Sequence, residues 1–105
     1  MQRKFRFIVD GQEIRKDPTC DFSNIVANSK GYLIASFTFL GDWSGMQKAG
    51  LFYKYGHEYA EKIASNECTI PAEALTHTNF QVSVCGVKGA TRVFTGKVVI
   101  EQIKN

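Results

Sequence analysis

Apolar and polar residues alternate singly along most of the chain, the period of half-buried β-strands rather than of helices. Between Lys4 and Val9, Phe5, Phe7 and Val9 share one face while Lys4, Arg6 and Ile8 share the other. Asp10-Gly11 is a hairpin signal, so Gln12 to Arg15 is expected to return as a short partner, ended by Asp17-Pro18. Residues 19–31 are mostly turn formers around one extended piece, Ile25-Val26-Ala27, and read as an edge segment or loop. Tyr32 to Phe39 is the clearest strand. Leu33, Ala35, Phe37 and Phe39 lie on one face, and Tyr32, Ile34, Ser36 and Thr38 on the other.

Lys48 to Tyr55 reads as the next strand, Tyr55-Gly56-His57 as a tight turn, and Glu58 to Ile63 as its returning partner. Ser65-Asn66-Glu67 turns again, and Cys68 to Ile70 is a brief strand that Pro71 ends. Proline suits the first position of a helix, where its missing N–H would be unsatisfied anyway, so residues 71–75 predict a single helical turn crossing between sheets. After an exit loop over residues 76–79, Phe80, Val82 and Val84 alternate with Gln81, Ser83 and Cys85. Residues 86–90 are expected to turn, Thr91 to Thr95 to run back, and Lys97 to Ile103 to close the chain. Eight or nine short strands, frequent turn signals and no long helix predict an all-β sandwich of antiparallel strands with one helical crossover near residues 71–75. Phe37, Phe39, Phe52, Phe80, Val82 and Val84 are its expected core.

The single tryptophan, Trp43, stands between two aromatic-rich strands in a corner made by Gly41, Asp42, Ser44 and Gly45. Two roles are open to it: folding back to plug the end of the core, or standing out as a binding anchor. The area an indole can bury, roughly 150–250 Å² for an aromatic side chain, favours the plug.

The 105 residues, 44% hydrophobic and 22% charged, suit one domain spanning residues 1–105. A net charge of +3, with acids interspersed among the bases, is modest for a nucleic-acid binder, and no nucleic-acid partner is expected. No run of eighteen apolar residues exists to predict a membrane span. The first residues lack a signal-peptide apolar stretch, so synthesis and use without export are expected. Cys20, Cys68 and Cys85 are odd in number and have no CxxC spacing, which argues against a disulfide framework or a zinc site. Cys68 and Cys85 read as small buried thiols, and Cys20, in a turn-rich segment, as more open to solvent.

Little in the chain suggests chemistry. His57 and His77 each sit in a turn without a second ligand at metal spacing, and both are expected in solvent. Glu58, Glu61, Glu67 and Glu73 offer carboxylates with nothing to fix their separation. The glycines of residues 86–90 lead into a strand rather than a helix, so they do not form a phosphate cradle. Neither GxSxG nor HExxH occurs. A non-enzymatic protein without cofactor or metal is expected. Tyr32, Tyr53, Tyr55 and Tyr59 gather around the middle strands, where they suit covering a sheet face better than stacking on bases or sugars. A protein interface would use the same residues.

Several segments in order carry a resemblance. They are Phe37-Thr-Phe39, Asp42-Trp43-Ser-Gly45, Lys48-Ala49, Phe52, Asn66-Glu-Cys68-Thr-Ile70-Pro71-Ala-Glu73-Ala-Leu75, Phe80-Gln-Val-Ser-Val84-Cys-Gly86, Arg92-Val-Phe-Thr95 and Val98. Together, over about residues 25–103, they resemble the N-terminal Ig-like domains of fibre and upper-baseplate proteins of tailed phages infecting Gram-positive bacteria. Gly96 stands where such domains often carry Asn, and these 105 residues include no fibre stalk, so either a fragment of a longer protein or a domain used alone is expected. The resemblance implies a virion adaptor (fibre, baseplate or head decoration) whose partners are other virion proteins or copies of itself. A small phage-encoded inhibitor of a host protein and a carbohydrate-binding module are the alternatives. The expected contacts are the Trp43 corner, the hairpin tip with Tyr55 and His57, and the basic first strand with Arg3, Lys4 and Arg6.

Overall fold

A computed structural model describes residues 2–76 and 78–103. His77, expected in a solvated turn, lies outside the described residues. The alternation at the start becomes β1, Arg3–Asp10, with Phe5, Phe7 and Val9 buried. Gly11, at φ 58, turns the chain into β2, Glu13–Lys16, paired antiparallel to β1 with Val9 opposite Ile14. β3, Leu33–Leu40, also lies beside β1 but runs parallel to it, with Phe7 opposite Phe37. This pairing corrects the expectation of purely antiparallel strands. Parallel neighbours need a long crossover, and residues 17–32 supply one, returning the chain to the end where β1 began.

That crossover is more than a loop. Phe22 stacks on Phe5 at 5.5 Å between ring centroids and lies 5.5 Å from Phe7. Ile25 and Ala27 are buried, and backbone bonds from Ala27 to Ile103 and from Ile103 to Ile25 tie it to the end of the chain.

β4, Gln47–Lys54, and β5, His57–Lys62, form the expected hairpin. β6, Glu67–Thr69, pairs with β3 and completes the first sheet in the order β2-β1-β3-β6. A 3₁₀ turn over Ala72–Leu75 then carries the chain to the other sheet. Pro71 is the cap before this turn, at φ −65 and ψ 140, rather than its first residue, and its carbonyl accepts the Ala74 N–H at 3.0 Å.

β7, Asn79–Lys88, is the spine of the second sheet. It pairs with β4, then through its first half with β9, Val98–Glu101, and through its second half with β8, Thr91–Phe94. β7 runs through Gly86, where a turn was expected, because that glycine serves packing. A Cβ there would sit 2.7 Å from Trp43 and 2.9 Å from the Met46 sulfur. At the step between β8 and β9 the Gly96 N–H bonds to the Gln12 carbonyl, and the Gln12 amide to the Phe94 carbonyl, joining the two sheets.

The two sheets pack into a β-sandwich. Phe37, Phe52, Phe80, Val82 and Val84 are buried between them as expected. Phe39 is only partly buried, with the Lys48 ammonium 5.0 Å above its ring. Phe5, Phe22, Phe7, Phe37, Phe39 and Trp43 form a continuous ladder, each ring 5.5–5.8 Å from the next. Such offset contacts add roughly 0.5–1.5 kcal/mol per pair beyond burial.

Candidate interaction surfaces

The Trp43 corner closes the sandwich. Gly41, at φ 90, turns the chain where a side chain would be strained. The indole N–H then donates to the Gly11 carbonyl at 2.9 Å, while the ring tilts against Phe39 at 5.5 Å. Only 3% of Trp43 is exposed. The plug reading is therefore the one the structure adopts, and the indole is withdrawn from the expected partner contacts. What remains at the surface is a cleft of about 450 Å³ over the indole, rimmed by Asp10, Gln12, Asp42 and Thr91.

The hairpin tip is presented as expected. Tyr55, at φ 45, and Gly56, at φ 79, make the two-residue turn between β4 and β5. Positive φ at both central positions matches the right-handed twist of the strands but suits Asn or Gly, not an aromatic. Tyr55 is nonetheless 76% exposed, and His57 beside it is exposed too.

The basic first strand does not act as one patch. The Arg3 guanidinium donates to the carbonyls of Asp21, Ser23 and Asn24, at 3.1, 2.7 and 3.3 Å, and lies 4.8 Å over the Phe5 ring. Arg3 thus holds the crossover. Lys4 is ion-paired with Glu67 at 2.7 Å, and Arg6 is exposed. Cys20 lies along the edge of β1, half-buried, where its sulfur accepts the Arg6 N–H at 3.4 Å.

Two aspartates shape the same crossover. Hydrogen bonds from the Thr19 N–H and hydroxyl hold the Asp17 carboxyl below the usual carboxylate range. The Ser23 hydroxyl and N–H do the same for Asp21. Among the described residues, no three His, Cys, Asp or Glu side chains gather where they could hold a metal ion.

One surface lay outside the expected contacts: the outward face of the second sheet. Its register sets Ala60, Leu51 and Ser83 side by side across β5, β4 and β7, and Ala49, Cys85 and Phe94 together one row along. The Tyr53 hydroxyl bonds to the Ser83 hydroxyl at 2.9 Å, and the Lys97 ammonium lies 4.1 Å over the Tyr53 ring. Burial raises the Tyr53 hydroxyl pKa above that of an ordinary phenol. Around this stack Val87, Phe94 and Val99 stay 38%, 48% and 44% exposed. Cys85, expected buried, is half-buried here because it points outward rather than into the core. The sequence signal was the adjacent apolar pairs Val93-Phe94 and Val98-Val99, which place one residue on each face of the sheet. Comparison with protein-family models, curated proteins and solved structures gives no match for this chain.

Proposed function

We propose that this protein is a non-catalytic structural or attachment module of a phage particle, an Ig-like adaptor of fibre, baseplate or head decoration acting through protein–protein contacts. The observation that carries the interaction reading is the outward face of the second sheet, on which Val87, Phe94 and Val99 are each exposed. Contiguous exposed apolar side chains rimmed by charge mark interaction sites. The hairpin tip with Tyr55 and His57 is the second contact. An exposed aromatic held at positive φ is kept there at the expense of stability, which suits a contact residue.

The assignment to a phage particle rests on the ordered motifs. They fall on parts that define the sandwich: the Trp43 plug, the crossover ending at Leu75, and β7 with its packed Gly86. The partners are other virion proteins or further copies of the chain, and the location is the virion. Mass spectrometry of purified particles tests the reading. The protein is expected in them at a fixed ratio to the other structural proteins, and its absence from washed particles would refute the assignment.

A further inference from the structure

The outward face of the second sheet has a charge order that the register makes explicit. Ser83 is its central row, flanked by Leu51 and Ala60. One row to one side, Glu58 lies opposite Tyr53; one row to the other, Lys62 lies opposite Ala49. Two rows out on the first side, Glu101 is opposite Asn79; two rows out on the second, Arg92 is opposite Val87. Successive rows on one face of a strand are about 7 Å apart. Apart from Lys97, whose ammonium lies over the Tyr53 ring in the middle, the face therefore has an acidic end and a basic end at equal distances from the Ser83 row.

We infer that this face binds a second copy of the same chain, the two sheets packing face to face about a two-fold axis. The axis lies in the interface, across the strands and through the Ser83 row. Rotation about it exchanges the two ends, so Glu58 meets Lys62 of the other copy and Glu101 meets Arg92. The same rotation sets Phe94 against Val99, apolar on apolar. Such an interface is self-complementary, as a two-fold requires. An axis along the strands would instead bring the two acidic ends together and the two basic ends together, with Glu58 facing Val99 and Lys62 facing Phe94. Four strands about 4.8 Å apart and some eight residues long give a footprint of ~500 Å² per copy, or about 1,000 Å² of surface covered in all. That is the lower bound for a specific interface, the size class of weak and transient association.

This inference rests on the reading of the protein as an interaction module and names the partner of that surface. Sedimentation velocity of the full chain from about 5 to 500 µM tests it. A monomer–dimer equilibrium is expected, weakened tenfold or more by Phe94→Lys and by Val99→Lys, with circular dichroism melts confirming that the variants fold. Glu58→Lys and Lys62→Glu should each weaken the dimer, and the double swap should restore it, because the two-fold pairs each position with the other. A monomer at every concentration overturns the inference, as does a dimer indifferent to Phe94→Lys and Val99→Lys. A double swap weaker than either single change overturns the proposed axis. A monomer found in virions would leave the interaction reading standing and refute only the second copy as occupant.

Discussion

Adding one methyl group at Gly86 should disrupt the corner that closes the sandwich. The Cβ of Gly86→Ala would lie 2.7 Å from Cζ3 and 3.0 Å from Cε3 of Trp43, and 2.9 Å from the Met46 sulfur. Real Cβ atoms do not approach so closely, so something must move. Met46 is flexible, but the indole is held by its hydrogen bond to Gly11 and by Phe39 behind it. Overpacking of this kind costs about 1–3 kcal/mol. For a domain of this size each kcal/mol moves the melting temperature by about 4–5 °C, so a fall of roughly 5–14 °C is expected. The assay is thermal unfolding followed by far-ultraviolet circular dichroism and by tryptophan emission. Emission of the native protein should be blue-shifted, as for a buried indole, and should move red in the variant. Gly96→Ala is the control, since a Cβ there meets nothing within 4 Å and its φ is not positive. If Gly86→Ala melts within about 2 °C of the control, the plug reasoning is wrong.

Tyr55→Asn should raise the melting temperature by a few degrees, because Asn tolerates the φ of 45 that Tyr55 holds, a relief of about 0.5–1 kcal/mol. The same change should weaken partner capture, and a variant neither more stable nor weaker in capture would remove Tyr55 from the contact surface. Among the thiols, burial pushes Cys68 up to about 12, so iodoacetamide at neutral pH should modify it roughly a thousandfold more slowly than an ordinary thiol. Peptide mapping that finds equal labelling at Cys20, Cys68 and Cys85 would contradict that burial. The crossover should loosen in acid before the sandwich unfolds. Asp17 and Asp21 have carboxyl pKa values lowered by folding, so their contribution is present above the unfolded value and lost as pH falls through the folded one, from about pH 4 downward. Amide exchange at Thr19 and Ser23 should quicken there first, and an Asp17→Asn variant with the wild-type acid response at Thr19 would refute the cause.

Much of the sandwich was legible because single-residue alternation assigns each side chain to a face. Phe5, Phe7 and Val9 in β1, and Phe80, Val82 and Val84 in β7, are all buried as that period requires. Glycine was the ambiguous letter. Gly11, Gly41 and Gly56 turn the chain at positive φ, whereas Gly86 sits in an extended strand because an indole occupies the space of its side chain. Nothing local distinguishes the two cases, since the indole arrives from residues far away in sequence. The parallel pairing of β1 and β3 was hidden for a related reason. Strand direction depends on the path of residues 17–32, and that path is fixed by Phe22 on the aromatic ladder and by the carbonyls that Arg3 gathers. Charge reads as surface, and for Arg3 that is only part of the account. Arg3 is drawn onto the crossover by three carbonyls, which a sequence does not reveal.

The two outward faces show why one of them needs covering. On the first sheet Lys4 pairs with Glu67, and exposed Arg6, Asp10, Glu13 and Arg15 interrupt the apolar positions, so water is a sufficient neighbour. On the second sheet the acidic and basic side chains of the strands stand toward opposite ends, and the positions between them include Ala49, Leu51, Ala60, Cys85, Phe94 and Val99, with Lys97 laid over Tyr53. Leu51 and Ser83 are 4% and 1% exposed, Ser83 bonded to the Tyr53 hydroxyl and Lys97 laid over the Tyr53 ring, so the middle of the face offers water little to hold before anything binds. Docking there displaces little well-held water from the middle, and the ordering cost falls on the flanking Glu58, Lys62, Arg92 and Glu101. The residues that build the fold and those that would bind a partner are thus interleaved on the same strands, one face each. Changing Val82 or Val84 should unfold the protein, whereas changing Phe94 or Val99 should leave it folded and alter what it holds.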